Sequence, residues 1–189
     1  MYWIWKSLRA DDGEARISGR PEVIADLGLS FDEGNRIQPA VPLIRIVRDE
    51  DSQGRLTDNQ LAPGTTGLLF SRRLRDLLAG AGVHNIDYYP VTIENPADGT
   101  QSDDYQLGNL IGRVACIDMA QSDLQMHPRL GVIEFIDSLV LDETKLGQLR
   151  MFRTVEHAQV IVVHESVRDA CVAARITGVS FFQPAEFSL

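Results

Sequence analysis

The chain has 189 residues, 44% hydrophobic and 24% charged, an ordinary globular balance that excludes disorder over most of its length and allows one substantial core or two small ones. Its acidic residues outnumber the basic ones, 27 to 18, for a formal net charge of -9, which argues against nucleic acid as a direct ligand and favours a basic partner. No apolar run approaches the roughly 20 residues of a membrane span, and MYWIWKSLRADD at residues 1–12 lacks the apolar centre of a secretory signal.

The expected location is therefore the cytoplasm. Two cysteines, Cys116 and Cys171, make no disulfide framework and are expected to be reduced core residues.

In chain order, residues 1–5 have the aromatic content of a strand, turned by Asp11, Asp12 and Gly13. Pro21 can open a short helix through Ile24, Ala25 and Leu27 that stops at Gly28. Residues 31–35 read as a turn, and residues 41–47 as a strand after Pro39 and Pro42, which favour an edge or a strand start. Residues 49–60, DEDSQGRLTDNQ, form the most polar stretch and read as an exposed loop. A soft boundary falls after it, with residues 1–66 as an N-terminal part and 67–189 as a C-terminal part, although one continuous fold is equally allowed.

A strand, helix, strand unit then occurs twice, at residues 67–91 and 159–184. Each opens on an apolar run, Leu68-Leu69-Phe70 or Val160-Ile161-Val162-Val163, bounded by turn signals as short buried strands are. Each continues into a helix with apolar positions at i, i+3, i+4 and i+7: Leu74, Leu77, Leu78 and Ala81, then Val167, Ala170, Cys171 and Ala174. Gly82 and Gly178 are placed as the helix stops.

Between the units, residues 94–104 make the long loop of a hairpin. Residues 105–118 form a central strand bent or bulged at Gly108 and Gly112, and residues 120–131 a weakly patterned loop. Residues 132–141 and 149–153 are further strands around a single helical turn at 142–147, and residues 184–189 are a short tail. The expected fold is α+β: a mixed, largely antiparallel sheet with a few packed helices.

Chemistry is hard to find. His84, His127, His157 and His164 lie too far apart for a local metal motif. Ser71 stands at a strand-to-helix turn without the glycines of a nucleophile elbow, so it is expected to cap the helix; His164 takes the same place in the second unit. Gly80 and Gly82 follow a helix, where a dinucleotide fingerprint must follow a strand. The acid clusters Asp49-Glu50-Asp51 and Asp103-Asp104 match no EF-hand spacing, since no later Glu stands where that loop needs it. As solvated loops they suit a basic partner, whose association complementary charge accelerates. No cofactor and no metal are expected.

LLFSRRLRDLL at residues 68–78, IDYYPV at 86–91, YQLGNLIGRVACID at 105–118, IDSLVLDETKL at 136–146, MFRT at 151–154, IVVHESVRD at 161–169 and TGVSFFQP at 177–184 together resemble the immunity protein 11 family, found beside bacterial polymorphic toxins. The resemblance covers about the C-terminal two thirds and matches residues 1–66 poorly. His164 departs from the family's usual Ser, Gly108 from a Leu, and Ala115 from an Asp. The resemblance implies a non-enzymatic cytoplasmic antidote that binds and blocks a cognate toxin domain, with a basic nuclease as the natural candidate. On that reading Asp49, Glu50, Asp51, Asp103 and Asp104 form part of the interface. The alternatives are a small ligand-binding or enzymatic domain with a site assembled from distant residues, recognisable by a deep pocket around His164 or Cys116, and a homo-oligomer, recognisable by exposed Trp3 and Trp5 in an apolar patch.

Overall fold

The computed structural model describes every residue except Pro39 and Gln53. The expectations that touch those two positions, the strand approach through Pro39 and the loop position of Gln53, lie outside the described residues.

Strand β1 is Tyr2–Ser7, β2 Ile17–Ser18, helix α1 Glu22–Asp26, β3 Ile44–Arg48 and β4 Asn59–Gln60. The first unit is β5 (Leu68–Ser71), α2 (Arg72–Gly80) and β6 (Ile86–Glu94). Then come β7 (Gln101–Ser102), β8 (Tyr105–Leu110), β9 (Arg113–Val114), β10 (Asp123–Met126), β11 (Ile133–Ser138) and β12 (Met151–Thr154). The second unit is β13 (Ile161–His164), α3 (Glu165–Ala173) and β14 (Val179–Phe182). The protein is α+β, mostly sheet, and among the described residues only the β3–β6 and β9–β12 pairs are parallel.

The two units share an architecture that local sequence does not announce. In each, the two strands are held apart by one inserted antiparallel strand: β8 between β5 and β6, and β1 between β13 and β14. Both are split strand–helix–strand crossovers. The first lies in a seven-stranded sheet running β2-β3-β6-β8-β5-β4 with β7 on β6, the second in a five-stranded sheet running β14-β1-β13-β12-β9.

The helices meet between these sheets, so one cluster joins both units: Phe70, Leu74, Leu78 and Leu110 from the first, with Trp5, Ile161, Val163, Val167 and Cys171 from the second. Leu74, Leu78 and Val167 are fully buried, each stabilising by about 1.5–3 kcal/mol relative to exposure. Trp5 crosses the gap, its ring edge-on to Phe181 at 5.5 Å and tilted against Phe70 at 5.7 Å. A second cluster on the other face of the five-stranded sheet includes Cys116, Ile133, Ile136 and Phe187. A third holds Ile24, Phe31, Ile44 and Leu107 around the seven-stranded sheet.

Several local expectations change. Residues 105–118 do not run as one bent strand: β8 ends at Leu110, Gly112 turns at φ 86°, and β9 continues in the other sheet. The expected loop at 120–131 contains β10, held by antiparallel pairing with β11. The tail at 184–189 is packed, with Phe187 buried and the Leu189 backbone exchanging two 2.9 Å hydrogen bonds with Ile136. The polar stretch 49–60 is open to solvent only in its first part. Thr57, Asp58, Asn59 and Gln60 are buried, and β4 lies within it.

The ends of the two helices are equivalent in detail. Val83 N–H donates to Leu78 and Gly82 N–H to Ala79, as Ile176 donates to Cys171 and Arg175 to Val172, the paired bonds of a Schellman stop. Gly82 supplies the left-handed residue in the first copy, at φ 85°. Arg175, at φ 52°, supplies it in the second, so Gly178 is not the helix stop.

Candidate partner-binding surfaces

The acidic loop after β3 is drawn inward by its own backbone needs. Arg48 Nη2 donates to the Gly54 carbonyl at 2.7 Å, Ser52 Oγ donates to the Glu14 carbonyl at 2.9 Å, and Arg55 N–H donates to the Gly13 carbonyl at 3.0 Å. Gly54 is needed for this approach, because a Cβ there would lie 2.3 Å from the Gly13 carbonyl. Asp49 turns the loop by accepting from Asp51 N–H at 3.0 Å. The result sets Asp49 and Asp51 beside Asp11, Asp12 and Glu14 around a depression of about 190 Å³, with Glu50 exposed next to them.

A second depression of about 580 Å³ shares the 11–14 wall and continues to Arg55, Asp58, Arg73 and Thr177. Asp11 and Asp12 were legible in sequence only as part of a turn, and Glu14 carried no sequence signal. Their contribution to an acidic wall depends on the Gly13–Gly54 contact, which no local pattern encodes.

Asp103 and Asp104 lie elsewhere. They follow β7, which pairs one edge of β6, whereas residues 49–51 follow β3, which pairs the other. Asp103 Oδ1 accepts from Thr92 Oγ1 at 2.6 Å, and Asp104 meets Arg72 at 3.3 Å while its carbonyl accepts from Arg75 at 3.2 Å. The two acid clusters thus flank β6 without meeting, and the second is tied to the start of α2.

The most heavily bonded carboxylate is one that sequence reasoning left inside a loop. Asp58 Oδ1 accepts from Ser71 Oγ at 2.8 Å, and Oδ2 accepts from Arg73 Nη1 at 2.9 Å and from Thr177 N–H at 3.1 Å. Its own N–H donates to Thr177 Oγ1 at 2.9 Å. Beside it, Asn59 Nδ2 donates to the Gly178 carbonyl at 2.8 Å and to Ser7 Oγ at 2.9 Å, and Arg73 Nη2 bonds the Ala174 carbonyl at the end of α3. A polar seam therefore stitches the two units together.

Ser71 caps α2 by accepting from Leu74 N–H at 3.1 Å, and His164 Nδ1 caps α3 by accepting from Ser166 N–H at 3.2 Å. Cys116 and Cys171 are buried and unbonded to each other; burial pushes both thiols up to about 12, with Glu156 adding to the effect at Cys116 and Asp58 at Cys171. Neither cysteine nor His164 lines any of the depressions described. Trp5 is buried, and Trp3 packs on the core with the Arg168 guanidinium 4.1 Å from its ring centre, which removes the tryptophans as an exposed oligomer patch. Among the described residues, no three His, Cys, Asp or Glu side chains come together as a metal site, and no helix is long and apolar enough to cross a membrane.

Two split crossovers, a buried polar seam and an acidic outer wall define an α+β protein with exposed, charged surface loops. The chain belongs to the Immunity protein family (Imm11), whose family model matches residues 14–186, a family of bacterial immunity proteins. The match takes in most of residues 1–66, which carried little resemblance by inspection. No curated protein matches the chain.

Proposed function

We propose that this protein is a non-enzymatic cytoplasmic antidote that binds a cognate toxin domain and blocks it. The family match over residues 14–186 carries the reading. The net charge of -9 supports a basic toxin, and a nuclease domain is the natural basic class because it must itself bind phosphate.

The binding surface proposed is the acidic wall of Asp49, Glu50 and Asp51, with Asp11, Asp12 and Glu14 beside it, and Asp103 and Asp104 as its extension across β6. Exposed charge there raises the association rate more than it adds affinity.

The test is co-expression and pull-down with the toxin domain encoded beside this chain, repeated at rising salt. Expected is a complex that silences the toxin and whose association slows as salt screens the wall. Lysine replacement of residues 49–51, and separately of 103–104, should slow association at least tenfold for the first set. If both sets bind at the original rate, the acidic wall is not the interface.

A further inference from the structure

Strands β10 and β11 form a two-stranded ribbon outside both large sheets. Its two edges differ. The outer edge of β11 is covered, because Ile136 N–H and carbonyl both bond Leu189 and Leu139 N–H bonds the Pro184 carbonyl. Among the described residues, β10 pairs with no strand but β11. Since Ile136 turns its backbone to Leu189, the alternation of an antiparallel ladder gives the next pair, Phe135 with Gln125, to β11–β10 bonding and turns the N–H and carbonyl of Leu124 and Met126 outward.

Natural edges are blunted by lysine, proline or bulges. β10 has neither lysine nor proline: it is four residues, Asp-Leu-Gln-Met, with one charge at Asp123, and the extra residues of both register shifts, Glu134 and Asp137, belong to β11. The ribbon also exposes apolar side chains, Leu130 at 70%, Phe135 and Val132 at 51% and Met126 at 42%. Phe135 borders a shallow depression of about 540 Å³ shared with Leu189 and Lys6.

Charge selects the occupant. Asp123, Glu134 and Asp137 are exposed on the ribbon's strands against one exposed cation, Arg129, in its turn, and Lys6 is occupied by the Ser188 carbonyl and the rings of Phe182 and Phe187. Two copies joined along β10 would unite two bodies of charge -9, which like-charge repulsion opposes. A basic strand meets the opposite situation. Lys6, beside the ribbon, is at most about 18 Å of extended chain from Asp11 of the acidic wall.

We infer that the open edge of β10 receives an extended segment of the toxin as an added strand, apolar at alternate positions to cover Met126 and, at the turn end, Val132 and Leu130, and basic between them. Backbone bonds to Leu124 and Met126 supply attachment and the alternating side chains supply selection. The inference rests on the antidote reading above.

The experiment uses the full chain with the inactivated toxin domain encoded beside it, and measures amide hydrogen exchange and affinity for the unaltered chain, M126D and L130D. Circular dichroism checks folding, which half-exposed side chains should leave unchanged. Expected are slowed exchange at Leu124 and Met126 in the complex and at least tenfold weaker binding by each variant. A complex with unchanged exchange there and variant affinities within twofold overturns the added strand and leaves the antidote reading standing. No complex with the unaltered chain overturns both. Protection at Leu124 and Met126 that rises with this chain's own concentration, without toxin, overturns the inference in favour of a second copy.

Discussion

Asp58 and Thr177 bond each other in both directions: Thr177 N–H donates to Asp58 Oδ2 at 3.1 Å, and Asp58 N–H donates to Thr177 Oγ1 at 2.9 Å. One residue precedes the first split unit and the other lies within the second, so the pair closes the seam between them.

Replacing Asp58 by alanine leaves the buried Ser71 Oγ without its acceptor and also removes the acceptor of the more exposed Thr177 N–H and Arg73 guanidinium. The expected loss is about 2–4 kcal/mol of unfolding free energy, measured by urea titration. A change below about 0.5 kcal/mol would show that the seam follows packing and does not direct it.

Gly178 sits at φ 79°, and a Cβ there would fall 2.2 Å from the Asn59 carbonyl and 2.6 Å from Thr57 Oγ1. G178A therefore meets both a disfavoured backbone region and a backbone oxygen that cannot swing away. A loss of about 3 kcal/mol or more is expected in thermal or urea unfolding, with the seam as the region that opens.

Arg175 holds the left-handed position at the end of α3 with an exposed side chain, where α2 uses Gly82. R175G removes that strain and should stabilise the protein by about 0.5–1 kcal/mol. A stability gain at this position, set against a loss in G82A, would verify that the two stops are equivalent.

Both thiols are pushed up to about 12 by burial, so the native protein should not react with a disulfide reagent at pH 8, while urea should release two reactive groups. The sign of the pH dependence follows. Above about pH 9 the unfolded chain ionises its cysteines and the native one does not, so stability should fall as pH rises from about 9 toward 12. A double Cys→Ala variant should lose the part of that slope between about pH 9 and 10, while Tyr88 and Tyr105, whose hydroxyls burial also pushes up, keep a fall in stability at higher pH.

What the sequence made legible was local. Leu68-Leu69-Phe70 followed by Leu74 and Leu78 is enough to announce a buried strand and the inward face of a helix, and Ser71 announces its start. The rest depended on distant partners. Thr57 to Gln60 look like loop by composition, yet they are buried because Ser7, Ala15, Thr177 and Gly178 supply their hydrogen bonds. Arg175 escaped notice because glycine is the usual signal for a left-handed stop, and Gly178 stood three residues away. β10 alternates polar and apolar residues over only four positions, Asp123 to Met126, too short a signal to announce a strand without its pairing to β11. The acids at 49–51 were visible as charge, but the wall they form with Asp11, Asp12 and Glu14 exists only because two glycine backbones touch.

The strand inserted into the second unit has a consequence for biosynthesis. β1 is made about 150 residues before either of the strands that flank it, β13 and β14. At ordinary translation rates it waits roughly ten to thirty seconds, a tryptophan-rich segment with neither edge satisfied. Until α3 and β14 emerge, the chain cannot complete its central core. Folding of this sheet must therefore wait until residues 161–182 are made, and partial products should be drawn to chaperones by the very strand that later becomes the middle of the sheet.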